Sequence, residues 1–201
     1  MRWDNLFDDL EGQLEHEADA EQGELLAEQE RLRLGRLALR DRIASIAGQQ
    51  STSAADAIRV QLLDGSAIAV RPTTFGKDWL AADLVAEQSS LAQQCILPLG
   101  AIAGLALTPR QIRESLEPQV DARPTGRLVD RIGLAFVLRD LCRRRKNLEL
   151  QTMLGRVHGT IDRVGRDHLD LAVHEPGSSR HESNVTDYRV VPVQRILLLR
   201  V

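Results

Sequence analysis

Between residues 157 and 173 apolar and polar side chains alternate: Val157, Ile161, Leu169, Leu171 and Val173 fall at odd positions, with polar residues at most even ones. A period of two, broken by Gly165-Arg-Asp, predicts a hairpin with one buried face. Because a one-residue slip would turn one arm inside out, opposed residues need numbers with an even sum. Ile161 opposite Leu169 satisfies this parity, with residues 163–167 as the loop. A similar stretch runs from Ile58 to Leu84. Strands are expected over 57–63, 67–71, 79–85, 94–99 and 101–107, and again over 148–152, 156–162, 168–173, 188–193 and 195–201.

The two sets correspond. Val60 and Leu62 with Asp64-Gly65 answer Leu150 and Thr152 with Leu154-Gly155. Gly76-Lys-Asp-Trp-Leu80 answers Gly165-Arg-Asp-His-Leu169, and Ile96, Pro98 and Ile102 answer Val190, Pro192 and Ile196. The offset drifts from 90 to 89 to 94, which places insertions in turns, where they are tolerated. A helix precedes each set. Over 127–145 Leu128, Ile132, Ala135, Phe136, Leu138, Leu141 and Cys142 cluster on one side, and Arg143-Arg-Arg-Lys146 closes the helix. The chain thus divides into a helix over 1–47, a first strand set over 57–107, a Pro-containing connector over 108–126, and a helix with the second strand set over 127–201. Thr108 is placed to cap a short helix that starts at Pro109.

The first 47 residues carry two apolar patterns. Trp3, Phe7, Leu10 and Leu14 form one stripe; Leu25, Leu32, Leu39 and Ile46 recur every seven residues. Glu28, Gly35 and Arg42 would occupy the companion row, which argues against a regular two-stranded coiled coil. Two readings stay open: an amphipathic helix packed on its own domain, or one that associates with another copy or a partner through Trp3, Phe7, Leu10 and Leu14. Charge bears on both. Residues 1–30 hold eleven acidic side chains against Arg2 alone, a balance of −10, so the other 171 residues carry +7. Arg31, Arg33, Arg36, Arg40 and Arg42 follow the acidic block, and this reversal of sign suits antiparallel pairing or a solvated face.

A helix followed by five short strands, with Gly155-x3-Gly159-x-Ile161, a turn and Asp-x-Leu-Asp-Leu, resembles the Sm-like (LSm) and wider SH3-like small-barrel group. The resemblance implies an α+β chain: an N-terminal amphipathic helix, then two small five-stranded β-barrels, each preceded by a helix. In Sm proteins a loop His stacks a base, an Asn follows, and a basic residue lies near the last strand; His168, Asp170 and Arg195 stand near those places. Here the loop is one residue longer, Asp replaces Asn, and the usual Arg-Gly is absent, which argues against a copied RNA site. Barrel edges would pair between subunits.

Chemistry is sparse. No Ser/His/Asp set, glycine-rich phosphate loop or catalytic carboxylate pair is present, and no cofactor is expected. His158, Asp162, His168 and Asp170 share one outward face, but that is what an exposed strand face gives, so no metal site is assigned. Cys95 and Cys142 lie in apolar surroundings without a Cys-x-x-Cys partner and read as small buried hydrophobes. Arg143, Arg144, Arg145 and Lys146 are candidate phosphate contacts, with Arg195, or simply a solvated helix end. No apolar run approaches the roughly 20 residues of a membrane span, and a cytoplasmic location is expected. The chain reads as a non-catalytic protein-interaction or scaffold module, partnered by itself or another protein through the N-terminal helix or barrel edges. The alternative is an RNA- or DNA-binding regulator of Sm-like type, with weak nucleic-acid binding.

Overall fold

A computed structural model describes residue 16 and residues 21–49, 56–85, 93–117 and 128–201. The candidate association residues Trp3, Phe7, Leu10 and Leu14 lie outside the described residues. The chain forms two compact units, Met1–Asp41 and Arg42–Val201.

In the first unit residues 21–35 form helix α1. Its surface is laced by i,i+3 pairs, Arg31 with Glu28 at 3.0 Å and Arg33 with Glu30 at 2.6 Å, and Leu25, Leu26 and Leu32 are exposed. The single helix expected over 1–47 is interrupted. After Gly35 the backbone tightens, with Leu37 N donating to Leu34 O, and a new helix α2 spans Leu39–Gly48.

Among the described residues the second unit holds ten strands: β1 Ile58–Leu62, β2 Ala67–Phe75, β3 Trp79–Leu84, β4 Gln93–Pro98, β5 Ile102–Ala106, β6 Asn147–Thr152, β7 Gly155–Val164, β8 His168–Val173, β9 Asp187–Pro192 and β10 Ile196–Arg200. Helices α3 (Pro109–Leu116) and α4 (Leu134–Arg143) lie between the two sets. Thr108 caps α3 through a reciprocal pair with Gln111, with Pro109 in the first turn. The helix expected over 127–145 is shorter. A 3-10 turn over Leu128–Arg131 is followed by a break at residues 132–133 before α4 begins.

All ten strands form one open antiparallel sheet in the order β5-β1-β2-β3-β4-β10-β6-β7-β8-β9. The two closed five-stranded barrels are therefore not formed. The physical reason lies in the connection between fourth and fifth strands. The three-residue turn Leu99–Ala101 sends β5 to the far side of β1, and β4 fills its open edge with β10. Each half keeps the same internal order, fifth-first-second-third-fourth.

The halves also bend alike. Register shifts lie between Pro72 and Thr74 in β2 and between Ile161 and Arg163 in β7, places that correspond at the 89-residue offset. A second pair lies at Gln61/Leu62 and at Ile196/Leu198, facing Gln151 and Thr152. Each bulge adds a residue and sharpens the twist. The bulge in β7 also changes the expected hairpin pairing. Ile161 faces Leu171 rather than Leu169, and beyond the bulge Val164 faces Leu169. Val164 is thus turned towards the core and Arg163 to solvent. Gly159 sits where a Cβ would collide with the Ala172 carbonyl.

Two cores result. Ile43 and Ile46 of α2 pack with Ile58, Val60, Leu62, Leu80 and Leu97. Leu134, Leu138 and Leu141 of α4 pack with Leu148, Leu150, Ile161, Leu169 and Leu171. β10 supplies both, Leu197 and Leu198 to the first and Ile196 and Leu199 to the second, while Trp79 and Ile96 of the first half enter the second core.

Candidate assembly interface

The β4–β10 contact joins the fourth strand of one half to the fifth strand of the other. Leu199 lies opposite Ile96 and Arg200 opposite Cys95, and Val201 N donates to Gln94 O at 3.0 Å. Even-numbered positions of β4 therefore point their backbone groups at β10. Ile96 is 8% exposed and Leu199 fully buried. Burial pushes the Cys95 thiol up to about 12. Arg200, itself buried, ion-pairs with Glu149 and donates to Gln151 Oε1 at 3.2 Å. Gln151 Nε2 donates in turn to Asp64 Oδ2 at 2.7 Å, in the β1–β2 turn. Hydrogen bonds from Ser66 and Gln151 hold the Asp64 carboxyl below its ordinary range.

A second contact seals the same junction. Lys77 N and Trp79 Nε1 both donate to the Ile132 carbonyl at 2.9 Å, and Leu134 N donates to Asp78 Oδ1 at 2.8 Å. A carboxylate from the first half thus caps α4 of the second, where positive charge collects at a helix start. Gly76 is required here because a Cβ would run into the Trp79 ring.

By correspondence β9 is the second half's fourth strand and β5 the first half's fifth. Among the described residues no strand pairs with the outer edge of either. Val190, the counterpart of Ile96, is 68% exposed, and Leu105, the counterpart of Leu199, is only partly buried. Val193 N donates to Asp167 O. Odd positions of β9 accordingly face β8, and Tyr188 and Val190 direct their backbone groups outward. Pro192 lies at the strand end, as Pro98 does in β4, where pairing with a fifth strand has already stopped.

The charged residues singled out from the sequence fall into two groups. Arg143 and Arg144 bind Asp140 at 2.6 and 2.7 Å, and hydrogen bonding, Arg143 first, holds its carboxyl below the usual range. Arg145, at φ 52°, binds Asp162 at 2.9 Å. Asp162 also pairs with Arg180, the main cause of its lowered pKa. Arg145 and Arg180, with Lys146, Asn147 and Ser179, line an open cleft of about 630 Å³. In the other group His168 packs over Gly165 and bonds Asp167 at 2.9 Å, Asp170 lies 3.9 Å from Arg163, and Arg195 is exposed on the adjoining turn. The four residues weighed as metal ligands are dispersed, His158 going to Glu149 at 3.2 Å. Among the described residues no three His, Cys, Asp or Glu side chains are grouped as a metal site. No described helix is long and apolar enough to cross a membrane.

Val190, Leu105 and the β4–β10 pairing were not anticipated from the sequence. The continuous apolar run Ile196-Leu-Leu-Leu199 was the available signal, since a strand buried on both faces belongs inside a sheet. No family model, no curated protein and no solved structure matches this chain.

Proposed function

We propose that this chain is a non-catalytic interaction module that joins further copies of itself edge to edge, β9 of one copy pairing with β5 of the next. The supporting observation is the β4–β10 contact, made by the same two strand types that end the sheet unpaired. An exposed edge is a template for another strand. A head-to-tail contact of this kind closes into a ring or grows into a filament. Free thiols at Cys95 and Cys142 suit a reducing, cytoplasmic setting.

Light scattering over a concentration series tests this, with Val190→Pro alongside the natural chain. Proline removes an outward N–H and spares the bonds to β8. The natural chain should rise to multiples of the single-chain mass, and Val190→Pro should remain a folded monomer. A natural chain that stays monomeric, or a variant that associates equally well, would refute the proposal. A second reading, contact with nucleic-acid phosphates, is supported by the cleft between Arg145, Lys146 and Arg180.

A further inference from the structure

We infer that the β6–β7 turn is a second point of contact between copies: Leu154 of one copy seats on Gly104 and Gln61 of the next. This rests on the edge-to-edge reading and adds a site to it.

The corresponding contact is already made within the chain. Register places Gln151 of β6 opposite Leu198 of β10. The β1–β2 turn of the first half reaches that pair, for Gln151 Nε2 donates to Asp64 Oδ2 at 2.7 Å and to Ser66 Oγ at 3.1 Å. Leu198 is fully buried in the first core, although its strand belongs to the second set.

At the open edge Gln61 of β1 lies opposite Gly104 of β5 in the same way. Gln61 corresponds to Gln151, and Gly104 to Leu198. The glutamine is common to both places, but the leucine is missing from the strand. It stands on the turn instead. Leu154 holds the place of Asp64, and Arg156 that of Ser66. One junction thus sets a leucine on the strand against a short carboxylate on the turn. The other offers a glycine on the strand and a leucine on the turn, so each pair supplies one apolar side chain and the room for it.

Exposure agrees with an unmade contact. Gln151 is 3% exposed, whereas Gln61 is open to solvent. Leu154 is 98% exposed, more than any other large hydrophobic side chain among the described residues. A Cβ built on Gly104 would meet only Gln61 Oε1, at 3.9 Å. The strand therefore has free space on the side where Gln61 lies. In the docked pair Leu154 fills that space and leaves water. Arg156, now 3.7 Å from Glu149, donates to Gln61 Oε1.

Exchanging the two residues tests the contact in the full chain. Leu154→Asp alters an almost wholly exposed side chain and Gly104→Leu enters open space, so both variants should fold, as circular dichroism checks. Each should weaken self-association in light scattering roughly tenfold, about the effect of one leucine uncovered or shut out. The double variant Leu154→Asp/Gly104→Leu reproduces at the open edge the Leu198–Asp64 arrangement of the closed junction and should associate like the natural chain. If the natural chain associates but either single change leaves it unaffected, or the double variant fails to recover, the turn contact is wrong and the edge pairing stands. Should Gly104→Leu not fold, Leu154→Asp decides alone. If the natural chain does not associate at all, both fail.

Discussion

Ile96 and Val190 occupy corresponding places in the two halves, one covered by β10 and the other open to solvent. Leu199 and Leu105, and Trp79 and His168, also differ in exposure, Leu105 being partly buried against the first core. Ile96 and Trp79 are larger or more apolar than their counterparts, Leu199 and Leu105 are the same residue type, and all three covered members feed the second core. The uncovered members remain apolar or amphipathic rather than charged. Edge strands that must avoid partners carry lysine, inward charge or an early proline. β5 carries no such guard, and on the outward side of β9 Tyr188 and Val190 carry none, the proline Pro192 standing only at the strand end. One junction within the chain therefore serves as the template for the proposed contact between chains.

The largest effect should come from breaking the covered side. Leu199→Ala opens a cavity between β4 and β6 and should cost about 2–5 kcal/mol. Its counterpart Leu105→Ala should cost about 1 kcal/mol or less in the monomer. Urea unfolding of dilute protein measures both, and equal losses would erase the distinction between closed junction and open edge. A smaller effect asks whether nucleic acid, rather than another copy, meets the second half. If single-stranded nucleic acid binds in the Arg145–Arg180 cleft, Lys146→Ala should reduce the log-log salt slope by about 0.7. No binding at low salt would discard that reading.

The strands, their tight turns and α3 were readable from residue pattern, whereas the joining of both strand sets into one open sheet was not. Alternation and the Asp64-Gly65 and Leu154-Gly155 turns mark the hairpins, and both glycines adopt positive φ. Thr108 and Pro109 mark α3. The bulges at residues 73 and 162 were not readable, because an inserted residue leaves the composition of a strand unchanged while shifting every pairing beyond it. That is why Ile161 meets Leu171. The partner of β4 was hidden for another reason: the pattern of a strand reports which faces are buried, not which edge is filled. The candidate interface inherited that blindness. Charged residues such as Arg143 and Arg144 drew notice, yet they bind Asp140 close by in the chain. Val190 and Leu105 gained meaning only once Ile96 and Leu199 were seen together.

Hydrogen exchange resolved to single amides addresses the edge contact most directly. Val201 N, which donates to Gln94 O in the closed junction, corresponds to Leu107 N at the open edge. Val190 and Leu107 amides should exchange freely in dilute protein and become protected together as concentration rises. Amides of Leu97 and Leu199 should stay protected throughout. Exchange at Val190 and Leu107 that is independent of concentration, while the chain associates, would show that copies meet elsewhere and would contradict the account.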